Sequence, residues 1–158
     1  MALAVLPLLA HSDPLGVPKV TDWSIEASSA QKAHKPIMIV FGSDNCRYCD
    51  DLTEQVLQPL MNSGDLSHRV HLREYKINRA GKVVDFDGLN VRSRVFVSRY
   101  QIFATPTVLF LDPKGEIIGE PIVGFNNAEE YRTLLNNAIN KATDSAFYRT
   151  PKITSHVQ

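Results

Sequence analysis

The hydrophobic pattern divides the chain into short elements of alternating type. Thr21 or Asp22 begins a helix predicted to run to about His34, with Trp23, Ala27 and Ala30 on one face. Lys35-Pro36 ends it. The run Pro36-Ile37-Met38-Ile39-Val40-Phe41 is then apolar at every position. A run without alternation predicts a strand buried on both faces, as in a mostly parallel sheet. Gly42 to Asn45 is a loop, with Asp44 placed to cap the next helix. From Cys46 the spacing turns helical, through Cys49, Leu52, Val56, Leu57 and Leu60. Pro59 is expected to kink or interrupt that helix, and Asn62-Ser63-Gly64 to stop it.

The second half continues in the same manner. Val70 to Asn78 reads as a strand. Residues 79–91 hold Gly81, Gly88 and Val83-Val84-Asp85-Phe86-Asp87, a polar insertion with the character of a small hairpin. Arg92 to Tyr100 is a short helix with Val95, Phe96 and Tyr100 at core spacing. Thr107 to Leu111 is a strand, followed by the turn Asp112-Pro113-Lys114-Gly115 with Pro second and Gly fourth. Glu116 to Gly119 is expected to begin the return strand of an antiparallel hairpin. Asn127 with Glu130 three residues later signals a helix start. Tyr131, Leu134, Leu135, Ala138, Ile139 and Ala142 then fall on one helical face. The order is helix, strand, helix, strand, helix, strand, strand, helix. It predicts an α/β fold with a central mixed sheet flanked by helices.

Composition narrows this picture. The 158 residues are 44% hydrophobic and 22% charged, near the average for soluble domains, and suit one domain with its own core. Seventeen Lys plus Arg balance seventeen Asp plus Glu. That balance offers no electrostatic case for nucleic acid or an anionic membrane as a partner. The first ten residues, MALAVLPLLA, are too few to span a bilayer. They look like the apolar region of a secretory signal, with Ala10-His11-Ser12 as a cleavage site, although no Lys or Arg precedes the run. The competing reading is a disordered or loosely docked arm. The expected organisation is a signal-like or flexible segment at 1–18, one domain at 19–143 and a mobile tail at 144–158. The first reading places the protein in a periplasm or another oxidising compartment, the second in the cytoplasm.

The chain has two cysteines, and they stand in Cys46-Arg47-Tyr48-Cys49. Two are too few for a stapled secreted scaffold. Their position is the junction between a buried strand and a helix. There the unsatisfied N–H groups and the positive end of the helix dipole favour an anion, which is the reactive form of a thiol. Arg47 adds a positive charge. Cys49, one turn on and more buried, is within reach of Cys46 to resolve a mixed disulfide. Metal binding is the alternative use of such a pair. A structural zinc site needs four ligands, and no second C-x-x-C is present. His34, His68 and His71 do not fall at a zinc-site spacing. No metal and no cofactor is therefore expected.

With Ala104-Thr105-Pro106-Thr107 opening a strand, the chain resembles the thioredoxin superfamily over roughly Val20 to Ala142. The Lys35-Pro36 lead, the Asp85-Phe86-Asp87-Gly88 insertion and the Asp112 to Gly115 turn belong to the same likeness. Within the superfamily it looks like exported single-domain members of the SoxW type. The resemblance implies a thioredoxin fold of four to five strands, with an extra N-terminal helix and a small insertion before the third core helix. It also implies a cis Pro106 opposite the sulfur pair and a Thr105 backbone that pairs with substrate, beside Arg47 and Tyr48 at the substrate face. A plain trans proline at a strand edge is the ordinary alternative.

The chain also departs from the family. Arg47-Tyr48 replaces Gly-Pro, and Asn45 replaces the Trp before the first cysteine. Many thioredoxins bury an Asp beneath the site, and by offset that position is Val40. Glu74 falls near another charged position of the family and is the candidate proton acceptor for Cys49, buried with a raised pKa. An exposed strand carboxylate is the competing reading. The function implied is reduction or exchange of disulfides in exported proteins. A membrane-bound thiol donor and a monomeric state go with it. An oxidase or isomerase, or a non-catalytic binding or metal-delivery module, is the alternative.

Overall fold

The computed structural model describes residues 16–145. Residues 1–15 of the expected signal-like segment and most of the expected tail therefore lie outside the described residues.

Helix α1 (Trp23–Ala33) begins where Asp22 accepts hydrogen bonds from the backbone N–H groups of Ser24 and Ile25. The Ser24 hydroxyl donates to the same carboxylate, and these bonds hold its pKa below the usual value. Strand β1 (Ile37–Gly42) is buried along its whole length. Strand β2 (His71–Lys76) pairs with it in parallel, and strand β5 (Thr107–Leu111) pairs antiparallel on the other side. Strand β6 (Ile122–Val123) completes a four-stranded mixed sheet in the order β2-β1-β5-β6.

The apolar runs are explained by two cores, one on each face. Met38 and Val40 of β1 join Val108 and Phe110 of β5 on one face. Ile37, Ile39 and Phe41 join Leu109 and Leu111 on the other. The first face is covered by a helical run made of α2 (Arg47–Leu52), one π turn (Thr53–Leu57) and α3 (Gln58–Asn62), together with α6 (Ala128–Ser145). The second is covered by α1, α5 (Ser93–Arg99) and a hairpin of β3 (Lys82–Val84) with β4 (Asn90–Arg92). Between them, α4 (Asp65–Arg69) leads into β2. Trp23 is fully buried at the centre of the second core, stacked on Phe86 and Phe96 with ring centroids 5.4 Å away in each case.

Most expectations hold, and the differences have local causes. Pro59 has no N–H to offer the Gln55 carbonyl, and the Arg132 side chain donates to that carbonyl instead. The interruption takes the form of the π turn rather than a break. The return begins within 116–119, where Ile117 bridges Leu111, but the ladder proper lies at 122–123. Gly119 at φ +75° and Pro121 separate the two. Val95 is half exposed, and Val97 takes the expected core place beside Phe96. Leu134 likewise faces outward. The final helix runs two residues past Thr143. At the other end, Val17 is buried and the Pro18 carbonyl accepts from the Glu74 N–H, so the described segment from Gly16 covers the outer edge of β2.

The second core makes two expectations measurable. Trp23→Ala is expected to cost about 3–5 kcal/mol in chemical denaturation, the usual loss for a buried aromatic. On β2, His71 and Arg73 both reach Glu26 of α1 at 2.6 Å. Burial holds the His71 pKa below its ordinary 6.5. The unfolded chain therefore binds a proton at His71 before the folded one does. The neutral ring's contribution is present above pH 6.5 and is lost as pH falls through the folded value. His71→Gln is expected to flatten that acid limb in urea melts taken from about pH 7 to about pH 5.

Candidate active site

The sulfur pair sits where β1 ends. Asn45 takes a left-handed backbone at φ 56°, which a short polar side chain tolerates. The chain then turns into α2 with Cys46 as its N-cap, not Asp44; Asp44 instead accepts a bond from the Asn78 side chain at 2.8 Å. Cys46 Sγ takes the place of a capping oxygen and accepts from the Cys49 backbone N–H at 3.2 Å. The two cysteines form a disulfide with their Cα atoms 5.2 Å apart. Cys46 is half-buried, whereas Cys49 is only 6% exposed. An anion on Cys46 would gain that N–H bond as a charge-assisted one.

A second wall comes from the strand start before β5. The Thr105–Pro106 peptide bond is cis, and Pro106 is buried. Its carbonyl accepts from the Gly124 N–H at 2.8 Å, which fastens it to the end of β6. The Thr105 hydroxyl donates to Cys46 Sγ at 3.4 Å. Ser43 lies 2.9 Å from the same hydroxyl. Ser43 Oγ, Thr105 Oγ1 and Cys46 Sγ thus form a chain of three polar atoms. If Thr105 donates to the sulfur, Ser43 must donate to Thr105. No pattern in the sequence singles out Ser43, because nothing in the loop ties it to a residue about sixty positions away.

A third group lies beneath Cys49. Val40, at the position where an Asp was expected from the family, is apolar, and it pairs in register with Glu74 on β2. Strand alternation puts Leu72, Glu74 and Lys76 on one face, the face that α2 covers. Lys76 Nζ is 3.0 Å from Glu74 Oε1 and also donates to the Ser43 carbonyl at 3.2 Å. The Glu74 side chain is 18% exposed, so it is neither sealed in nor a plain surface carboxylate.

Gly42 makes room for this group. A Cβ there would stand 3.4 Å from Glu74 Oε1, 3.5 Å from Lys76 Nζ and 3.6 Å from Cys49 Sγ. The carboxylate and the inner sulfur therefore both lie against the bare backbone of Gly42, close enough for one Cβ to touch both. Lys76 and Gly42 have no motif of their own in the sequence; period-two alternation from Glu74 is the available signal for the lysine.

The outer rim is open. Arg47 is 90% exposed and only loosely paired with Asp51 at 3.9 Å, and Tyr48 is exposed beside it. Phe103, two residues before Thr105, is 90% exposed, and Val123 of β6 is exposed next to Gly124. Among the described residues no group of three or more His, Cys, Asp or Glu side chains is disposed to hold a metal ion. None of their helices is long and apolar enough to cross a membrane.

The family model described as "Thioredoxin-like domain" matches residues 24–139. No curated protein matches the chain in sequence. Among solved structures, a putative disulphide-isomerase from Bacteroides thetaiotaomicron is similar at TM-score 0.61 and 16% identity, covering 82% of this chain and 97% of that one. A thioredoxin from Thermus thermophilus reaches 0.58 at 23% identity, covering 79% and 89%. The oxidised C-terminal domain of Neisseria meningitidis DsbD reaches 0.54 at 16%, covering 76% and 98%. At these identities the likeness is one of fold.

The hydroxyl chain generates a prediction. Thr105→Val is expected to raise the pH midpoint of Cys46 ionisation in the reduced protein by about one unit, a hydrogen bond to an anion being worth about 1.5–3 kcal/mol. Ser43→Ala should move it in the same direction by less. Thiolate absorbance against pH reads both, and an unmoved midpoint in Thr105→Val removes the hydroxyl from the account.

Proposed function

Because the chain belongs to the thioredoxin-like domain family, we propose that it is a thiol–disulfide oxidoreductase. Its working pair is Cys46 and Cys49, and its substrates are disulfides in exported proteins. The observation that carries this reading is the pair of donors on Cys46 Sγ, the Cys49 N–H at 3.2 Å and the Thr105 hydroxyl at 3.4 Å. Both stabilise the thiolate more than the thiol.

In the reductive direction the Cys46 thiolate attacks one sulfur of a substrate disulfide. A Cys46–substrate bond forms, and the other substrate sulfur leaves as a thiolate that takes up a proton. Cys49 then loses its proton and attacks Cys46. The internal disulfide forms and the second substrate thiol is released, so two electrons have passed from the pair to the substrate. Glu74 is the acceptor for the Cys49 proton, with Lys76 holding its carboxylate in place. Arg47, Tyr48 and the Thr105 backbone receive the substrate segment against Pro106. A thiol donor in a membrane returns the pair to its reduced form. The MALAVLPLLA segment supports export, and the protein works as a monomer without a metal, a cofactor or nucleic acid.

A second direction of flow is favoured by one feature. Tyr48 before the second cysteine and Thr105 before Pro106 are similar to periplasmic disulfide isomerases. Potentials in this superfamily run from about −270 to about −120 mV, and replacing Gly-Pro by Arg-Tyr argues for a less reducing value than thioredoxin's. Equilibration with glutathione separates reductase from oxidase or isomerase. A non-catalytic binding or metal-delivery module would show no turnover at all.

Reduction of insulin with dithiothreitol is expected from the wild type and is expected to vanish in Cys46→Ser. Cys49→Ser should keep the first attack and accumulate mixed disulfides with client proteins, visible on non-reducing gels. Turnover that survives Cys46→Ser overturns the proposal. Glu74→Gln is expected to slow resolution at neutral pH and to recover as pH passes about 8.5, where a thiol ionises unaided. A faster Glu74→Gln enzyme would mean that the carboxylate only repels the Cys49 thiolate.

A further inference from the structure

The β3–β4 hairpin carries charges that its own stability does not call for. Val83 and Val91 pair across it and turn inward against the second core. Lys82 and Arg92 pair across it and turn outward, both exposed. Like charges directly opposite on an antiparallel pair are destabilising. Arg94 and Arg79 join them around one shallow cavity of about 400 Å³, lined also by Gly81 and Ser93. Arg79 is held in place by donating to the Val20 carbonyl at 2.9 Å. The acids of the same insertion are occupied elsewhere. Asp85 is buried against Arg99, and Asp87 accepts the Leu89 N–H in the turn at the far end of the hairpin. In a chain with zero net charge this is a local excess of four cations.

The cavity lies toward the same end of the sheet as the sulfur pair. β1 and β2 are parallel, so Cys46 follows the end of one strand and Arg79 follows the same end of its neighbour. The Asn78 side chain bonds to Asp44, two residues before Cys46. On α2 itself Arg47 stands with Asp50 and Asp51, so that helix carries both signs of charge. A partner that reaches the hairpin therefore meets a surface of one sign, whereas α2 offers both signs.

We infer that Arg79, Lys82, Arg92 and Arg94 form a docking surface for an acidic polypeptide segment of the redox partner, next to the cysteine that Cys46 attacks. The inference rests on the proposed oxidoreductase function and names the class of substrate it selects. Complementary charge of this kind raises encounter rates by about 10–10³ and fades with salt.

The test uses the full chain and two disulfide-linked peptides of equal length, one flanked by glutamates and one by serines. The wild type should prefer the acidic peptide in kcat/KM, with the preference falling as salt rises. Arg92→Glu and the triple variant K82Q/R92Q/R94Q should each cut that preference about tenfold. Exchange with bis(2-hydroxyethyl) disulfide, which is small and neutral, should not change. Arg92→Glu also converts the like pair with Lys82 into an opposite pair, so its thermal midpoint should rise while the preference falls. An acidic preference unchanged in both variants, or an equal loss on all three substrates, overturns the inference. Failure of the wild type to exchange even the neutral disulfide sinks the proposed function. Anisotropy of a cysteine-free glutamate-rich peptide then still decides the docking surface, by weakening in Arg92→Glu or by not doing so.

Discussion

The site depends on how β1 ends. All six residues of that strand are buried, with alternate side chains committed to opposite cores. A strand held on both faces cannot slip, because a one-residue shift would move every side chain to the wrong side. Its last residue is therefore fixed in space. A three-residue loop that ends in the left-handed Asn45 then delivers Cys46 to the first turn of a helix. The sulfur completes that helix in the way a capping oxygen would. Reactivity and helix initiation thus use the same N–H group.

The two sulfurs meet different surroundings as a result. Cys46 faces the strand start at Thr105 and Pro106, with donors on it and solvent within reach. Cys49 faces inward toward Glu74 and Lys76 at the bare Gly42. Ser43 touches both sides: its hydroxyl reaches Thr105 and its carbonyl receives Lys76. The difference in surroundings between the two sulfurs is consequently built into the backbone. It does not need a distinctive residue between them.

Much of this is legible in the chain. The buried strands, the α1 cap at Asp22, the cysteine junction and the Asn127 helix start all rest on local rules of period and capping, and the structure obeys those rules. The departures come where a contact spans the fold. The pattern Glu116 to Gly119 has strand composition and pairs at Ile117, but Gly119 and Pro121 interrupt the ladder until Ile122. Asp44 looks like a cap until Asn78, brought up by β2, claims it. Ser43, Lys76 and Gly42 carry no local signature, since their meaning arises only when strands from distant segments lie side by side. The hairpin cations are hidden for another reason. Net charge averages over the whole surface, and the neutral total conceals the local excess of cations at the insertion.

The carboxylate beneath Cys49 shows what such a site preserves. Offset along the chain points to Val40, which is apolar and lies in the first core. The parallel register sets Glu74 directly beside Val40, on the same face of the sheet. A side chain at either position therefore projects from the same face of the sheet, the one that α2 covers. The position on β2 adds a condition, because Lys76, two residues on, shares that face and pairs with Glu74. A lone Asp at position 40 would instead place a charge in the apolar core to which Met38, Val108 and Leu52 belong. Placing the acid on the outer strand next to a lysine keeps the charge paired, and it leaves the fully apolar β1 free to anchor the loop that carries Cys46.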